Sequence, residues 1–371
     1  MNDNNKIKIA FVKFAGLALG GTEKHLQILS AYLPRDEFDV TYFYCDAAPY
    51  LGSDYKHADT DPHRLKWMQE KNVNLVKFDV QYKDVRTPTH DWVNTNFWEF
   101  FNEEDYDIIQ TGRAGHSEYP FTHINKIPQV DCITLPDMAE SKSNVKKVVL
   151  ISNDQLEGWK RCHLSEPQKA IEIPLLSFLE EENVKTNYRE KLGISENTIV
   201  YGMHQRPDDG IFSPVLIDAY SKFKDEDVSL VILGGSRLYE DQAKNLGVEN
   251  IHFIEVSADP KVIHGFLNTL DVYTHARRDG ETQGCVLVEA MFHGLPIVTH
   301  KAPAMGHRDT MGSSGFMCNN VDEYFEKMKF LIDEKVRSQY TDIAQKRYKE
   351  SFSLEYIVDS YAKIYKEICN G

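Results

Sequence analysis

The 371-residue chain has no C-x-x-C pair; its six cysteines stand singly at 45, 132, 162, 285, 318 and 369. That spacing fits neither a zinc site nor the dense disulfide framework of a small secreted domain. Scattered thiols suit a reducing compartment, and the expectation is a cytoplasmic protein. No run approaches the ~18–20 apolar residues of a membrane-spanning helix, so membrane contact is expected to be at most peripheral. The opening MNDNNKIKIAFVKFAGLALGG starts polar, is interrupted by Lys13 and lacks a small-residue cleavage pattern. It reads as a first strand and a glycine turn rather than a signal peptide. Basic charge is also short: 42 Lys and Arg stand against 57 Asp and Glu, a net charge of −15. The imbalance is 20 to 26 in residues 1–175 and 22 to 31 beyond, so both halves are acidic. Nucleic acid is therefore not an expected partner, because phosphate contacts require a surplus of Lys and Arg. Low-complexity tracts and short-period repeats are missing too.

What remains is an ordinary globular composition, 42% apolar and 27% charged, at a length that predicts about two domains. Short apolar runs alternate with helix-like stretches. In the first half the runs are 8–14, 39–45, 73–78, 106–110, 130–135 and 147–152; in the second, 198–203, 228–233, 251–256, 271–276 and 295–300. Most are continuous rather than alternating, as expected of strands covered on both faces. Strand–helix alternation of this kind predicts parallel sheets with helices on both sides, and two such halves predict two doubly wound α/β domains. The stretch 171–184 reads as the link between them, and 351–371 as a long terminal helix. Its apolar positions form two stripes, Tyr356, Ser360, Ile364 and Ile368 beside Ile357, Tyr361 and Tyr365.

Ligands of parallel α/β sheets sit at the carboxyl ends of strands, near helix N-termini. Three glycine-bearing stretches fall at such places. GLALGGTEKH follows the first strand, and Gly20 and Gly21 allow close backbone approach to an anion. The spacing is not G-x-G-x-x-G, so the dinucleotide fingerprint is not met. LGGSR, with Gly235, follows a later strand. The third stretch, RRDGETQGCVLVEAMFHG, enters a helix at Gly284, whose first amides at Gly284, Cys285 and Val286 have no partner within the helix. Glu281 precedes this anion cradle and Glu289 follows it, ~7–8 Å along the helix at ~1.5 Å per residue. Two carboxylates flanking a phosphate cradle suit two sets of hydroxyls, which describes a sugar, a diphosphate and a ribose. Glu289 lies among Leu287, Val288, Ala290 and Met291, and a buried carboxylate needs partners.

The E-x7-E pattern, the glycine after its first Glu and the run EAMFHGLPIV resemble family 4 of the retaining glycosyltransferases. GGTEKHLQILSAYL, KVVLISNDQLEGW and the closing SFSLEYIVDSYAKIYKEI resemble that family as well; the match is patchy over residues 45–130. The resemblance implies the GT-B fold, two Rossmann-like domains facing a cleft, with the C-terminal helix crossing back to the first domain. It implies an acceptor-binding domain over 1–175, a nucleotide-sugar-binding domain over 176–352 and the terminal helix over 353–371. Glu289 would then hold ribose hydroxyls, and Glu281 donor-sugar hydroxyls. The amides of Thr282, Gln283, Gly284, Cys285 and Val286 would lie on sugar and phosphate. Gly20 and Gly21 would approach the diphosphate from the opposite wall, and Gly235 is a further candidate on the donor side. The implied activity is metal-independent and needs no cofactor besides a co-substrate, a UDP- or GDP-sugar. The acceptor would be a glycan, a lipid-linked molecule or a small molecule.

Three positions depart from the family pattern. Arg206 fills the first of two cation positions on the diphosphate, but Asp209 or Ile211 stands where a lysine is usual, leaving Arg277, Arg278 and Arg237 as substitutes. No histidine follows the strand at 130–135, so His116 or Asp137 is the candidate helper in the first domain. Gln283 replaces an aromatic in the sugar pocket. A nucleotide- or glycan-binding GT-B protein with little catalysis, or a sugar-nucleotide epimerase, remains open. A phosphorylase would need a lysine-bound pyridoxal cofactor, for which no motif is visible. The aromatics Trp92, Phe97, Trp98 and Phe101 read as the core of a helix or as an acceptor groove. The triplets at 59–61 and 105–107 read as solvated acids.

Overall fold

The computed structural model describes residues 6–54, 59–135, 142–177, 185–257 and 259–371. Asp137, one of the two helper candidates, lies outside them, as does the 178–184 part of the expected link. Two compact units divide the chain: Met1–Leu176 with Ser353–Gly371, and Ser177–Phe352.

The first unit contains strands β1 (Ile7–Val12), β2 (Phe38–Tyr44), β3 (Tyr50–Leu51), β4 (Asn74–Lys77), β5 (Tyr82–Asp84), β6 (Asp91–Val93), β7 (Ile108–Arg113), β8 (Gln129–Ile133), β9 (Val145–Leu150) and β10 (Ala170–Glu172). Seven of them form one sheet in the order β10-β9-β8-β7-β1-β2-β4, and the neighbours run parallel, with Ile9 between Val40 and Ile108. Helices α1 (Gly21–Tyr32), α2 (Pro62–Glu70), α3 (Phe97–Phe100) and α4 (Asn153–Cys162) belong to this unit. The continuous apolar sequence of β1 follows from coverage on both faces: Ile9 to Val12 are fully buried. A separate three-stranded sheet, β3-β5-β6, was not anticipated, because two- and three-residue strands carry no readable period. It changes the reading of the aromatic stretch. Trp92 lies in β6 and α3 has only four residues, so no single helix spans them. Phe97, Phe101 and Trp92 are core, whereas Trp98 is 41% and Phe100 48% exposed.

The second unit contains β11 (Ile199–Gln205), β12 (Val228–Gly234), β13 (Ile251–Ile254), β14 (Val272–Thr274), β15 (Gly280–Glu281), β16 (Ile297–His300), β17 (Ala304–Met305) and β18 (Gly315–Cys318). The six-stranded parallel sheet runs β13-β12-β11-β14-β16-β18, and β15 pairs with β17 alone. Its helices are α5 (Arg189–Leu192), α6 (Val215–Tyr220), α7 (Leu238–Leu246), α8 (Pro260–Leu267), α9 (Cys285–Phe292), α10 (Gly306–Met311), α11 (Val321–Phe330) and α12 (Glu334–Ser351). In both sheets the strand order reverses once, between β1 and β7 in the first and between β11 and β14 in the second. Such reversals open a crevice at the carboxyl ends of the strands, where α/β proteins bind ligands.

The last helix, α13 (Leu354–Asn370), packs on the first unit. Only one predicted stripe is buried, Ile357, Tyr361 and Tyr365 with Ile364 from the other, and Tyr356 is exposed. The tyrosine hydroxyls explain the choice. Tyr365 donates to Gln110 Oε1 at 2.7 Å, and Tyr361 lies 3.0 Å from His25 Nε2. His25 accepts the Leu176 amide at Nδ1, so Nε2 carries its proton; burial pushes its pKa down to about 3. Among the described residues no helix is long and apolar enough to cross a membrane.

Candidate functional site

At the reversal point of the second sheet, β11 ends in His204 and Gln205, and β14 leads into His275. Gly235 follows β12, and its amide donates to the Gln205 carbonyl at 2.7 Å. The loop after β11 is joined to the loop after β14 by the Arg278 amide on the Ile211 carbonyl. Arg206, Gly235 and the 275–286 segment therefore belong to one loop cluster. Gly234 and Gly235 both adopt positive φ, +71° and +80°, and a Cβ on Gly234 would stand 2.3 Å from the Gln205 carbonyl oxygen. Beside these glycines a cavity of about 180 Å³ is lined by Pro207, Glu240 and the 253–256 strand end.

Glu289 is 6% exposed on α9, and its Oε2 lies 2.6 Å from His204 Nε2. This histidine is the partner that the buried carboxylate requires, and the sequence reading did not find it. The available signal was a polar residue inside the apolar run of β11, at a position the sheet buries. Glu281 lies on β15, where Arg277 Nη1 donates to its Oε1 at 3.1 Å and His275 Nε2 stands 3.6 Å away. Burial alone would raise its pKa, but His275 and Arg277 hold the carboxyl below its ordinary value. Glu281 is therefore ionised at neutral pH.

The segment between the two glutamates is held from outside. Gly284 takes φ +90° as the residue that opens α9, a conformation suited to glycine. The Gln283 carbonyl accepts the Thr310 hydroxyl, and the Gln283 amide nitrogen reaches Ser177 Oγ at 3.3 Å. A Cβ on Gly306 would lie 1.8 Å from the Thr282 carbonyl oxygen, and one on Gly280 2.0 Å from that of Ala304. Two backbones thus run in contact, and Thr282, Gln283 and Gly284 have a fixed course into the first turn at Cys285 and Val286.

The cations are more committed than the sequence suggested. Arg206 is exposed and bonded to Asp208 at 2.9 Å. Arg277 is bonded to Asp279 and Glu281. Arg237 and Arg278 are exposed. Asp209, where a lysine was looked for, accepts the Ser236 hydroxyl.

In the first unit, Gly20 caps α1 in an extended conformation. A Cβ there would meet the Glu23 carboxylate at 1.9 Å, whereas one on Gly21 would meet nothing within 4 Å. His116, in the loop after β7, is not a lone histidine: its ring is 4.4 Å from that of His90, and its carbonyl accepts from Arg113. Next to it is a buried ion pair, Lys83 to Glu118 at 2.5 Å, which sequence reasoning missed. Lys83 also faces the rings of Phe14 and Tyr50. Burial works against the Glu118 charge, but Lys83 and Lys13 bring its pKa to about 2. The acid triplets have local roles: Asp61 accepts the Arg64 amide at the start of α2, and Asp107 that of Lys8.

Residues 198–334, within the second unit, match the family model described as Glycosyl transferases group 1. No curated protein matches the chain. Among solved structures, a glycosyltransferase from Rickettsia africae ESF-5 is 18% identical, with 98% of this chain and 99% of that one covered at a TM-score of 0.71. Anabaena HepE in complex with UDP and glucose is 18% identical over 97% and 99% of the two chains, TM-score 0.66. Sucrose-phosphate synthase from Thermosynechococcus elongatus is 14% identical over 98% and 99%, TM-score 0.69. With the two parallel-sheet units, these likenesses give the chain the GT-B fold.

Proposed function

We propose that this GT-B chain is a retaining glycosyltransferase. It takes a sugar from a UDP- or GDP-linked donor and transfers it, without a bound metal ion, to a glycan, a lipid-linked molecule or a small molecule. The observation that carries the reading is the Glu289 carboxylate, buried at the reversal point of the second sheet and held at 2.6 Å by His204. It follows the ionised Glu281 across the turn that Gly284 opens, inside the segment that matches the glycosyltransferase family model. A UDP complex of Anabaena HepE, which has the same fold, supports a nucleotide donor.

In this reading the second unit binds the donor. Glu289 accepts ribose hydroxyls, and the cavity beside Gly235 takes the base. Arg206 and the amides from Thr282 to Val286 stabilise the diphosphate, and Glu281 orients the sugar. As the C1–O bond to the diphosphate breaks, the acceptor oxygen bonds to C1 on the same face. Its proton passes to the departing phosphate oxygen. Fixed amides and charges aimed at the leaving group supply the main electrostatic term, and the two glutamates supply positioning. The first unit binds the acceptor, and Gly20, Gly21 and His116 are its candidate site residues.

A second reading, nucleotide binding with little turnover, is favoured by one observation: Arg206 is already bonded to Asp208. Calorimetric titration with UDP, GDP, CDP, ADP and their sugar conjugates, without added metal, tests the donor site. One nucleotide binds, and Glu289→Ala weakens it roughly tenfold or more, a hydrogen-bonding loss of about 1.4 kcal/mol. If no nucleotide binds, both readings are wrong. If one binds but its sugar conjugate is neither hydrolysed nor transferred, the second reading stands. NMR of the product's anomeric carbon decides between retention and inversion.

A further inference from the structure

His204 lies at the end of β11, 85 residues before Glu289, and both side chains are buried. A carboxylate oxygen only accepts, so the 2.6 Å contact is a hydrogen bond that His204 Nε2 donates to Glu289 Oε2. The other ring nitrogen is also engaged. Tyr273 on β14 places its hydroxyl 3.2 Å from His204 Nδ1. The same hydroxyl stands 3.4 Å from the His204 carbonyl oxygen and accepts from the His204 amide at 3.4 Å, so Tyr273 grips both the backbone and the ring of His204. Tyr273 is completely buried, and burial keeps its phenol protonated well above the ordinary range. The ring is held on its face as well, edge to face with Phe266 on α8 at 5.6 Å.

His293 and Glu281 are the neighbouring titratable groups. His293, at the end of α9, is kept neutral near neutral pH, its pKa lowered to about 4 by burial and by His264. Its own bonds go to His264 Nδ1 at 3.0 Å and Asn268 Oδ1 at 2.9 Å. Glu281, the other charge that Tyr273 senses, is an anion bonded to Arg277.

We propose that His204 is a positioning residue for nucleotide binding: its Nε2–H, on a ring held at Nδ1 by the Tyr273 hydroxyl, keeps Glu289 in one orientation toward a ribose. The inference rests on the reading of Glu289 as the ribose-binding carboxylate. A ribose diol donates two hydrogen bonds, which an ionised carboxylate accepts and a protonated one accepts poorly. Without the His204 bond the carboxylate is no longer held in that orientation.

The test is calorimetric titration of UDP and GDP into the whole protein, always as the ratio of variant to wild-type affinity. Circular dichroism and thermal melts check that each variant folds. His204→Leu removes the donor and lowers affinity roughly tenfold or more. Gln reaches the Nε2 position, so His204→Gln restores affinity to within about threefold. Asn reaches only the Nδ1 position, so His204→Asn binds weakly while losing no more stability than Gln; the Asn and Gln pair keeps the test decisive if the Leu variant does not fold. Equal loss in Asn and Gln reduces His204 to a packing role and overturns the proposal. Glu289→Ala separates the two levels. If it leaves nucleotide affinity unchanged, the donor-site reading and this inference fail together. If it weakens binding while His204→Leu does not, only the inference fails.

Discussion

A buried charge without a partner is unstable, and at the scale of single residues the ion pairs of this chain therefore mark positions that tolerate no simple truncation. Lys83 and Glu118 are both buried and bonded to each other. Lys83→Met leaves the carboxylate uncompensated and is expected to cost roughly 3–5 kcal/mol in urea unfolding. Lys83→Met combined with Glu118→Leu recovers most of that loss, because both desolvated charges are gone. Gly21 gives the opposite case. A methyl group there meets no atom within 4 Å at the first position of α1. Gly21→Ala is therefore expected to leave the melting temperature unchanged or raise it by an amount corresponding to less than ~1 kcal/mol. If transfer activity falls in that variant, the missing space was needed by a ligand and not by the fold; unchanged activity removes Gly21 from the site. The sequence showed Glu281 and Glu289 because their spacing along one strand-to-helix passage is a local pattern. It hid His204 and Lys83 because their partners lie 85 and 35 residues away, and pairing at that range leaves no periodic trace.

Strands were legible where a continuous apolar run marks them, whereas the 18-residue α12 was not. Every continuous apolar run became a strand of one of the two main sheets, since coverage on both faces selects β-branched and aromatic residues along the whole strand. The short strands were not, and they include β15 and β17, which carry the loop between the glutamates. That pairing depends on backbone contact: Gly306 touches the Thr282 carbonyl and Gly280 that of Ala304. Gly306→Ala forces the two backbones apart, and a loss of about 1–3 kcal/mol is expected, in the range of overpacked sites. Nucleotide affinity falls with it, because the amides from Thr282 to Val286 shift together. Calorimetry at a temperature where the variant is fully folded separates the two effects; undiminished affinity there means that the loop does not contact the donor.

The whole molecule has a pH dependence set by neutral buried histidines in both units. Burial holds His25 down to about 3 and lowers His293 and His307 to about 4. Unfolded histidine titrates near 6.5, so the unfolded chain binds protons that the folded chain does not. These residues contribute fully above about pH 6.5, and each costs up to about 1.4 kcal/mol per unit as pH falls below it. The urea midpoint is expected to drop between about pH 6.5 and pH 5, before the ion-paired carboxylates begin to titrate. His25→Gln flattens part of that slope; a slope that persists in full assigns it to other groups. Removal of residues 353–371 leaves His25 and Gln110 without the tyrosines they bond, and it is expected to melt the first unit at lower temperature while sparing the second.

That division has a consequence for how the protein comes into being. The second unit is one unbroken stretch of sequence that interrupts the first, whose residues Ser353–Gly371 are translated after it. On a ribosome the unit holding Glu281 and Glu289 emerges whole and is free to fold while the other still lacks α13. The unit begun first is therefore completed after the other, and the faces of α1 and β7 that meet α13 must wait, or be shielded, until α13 arrives.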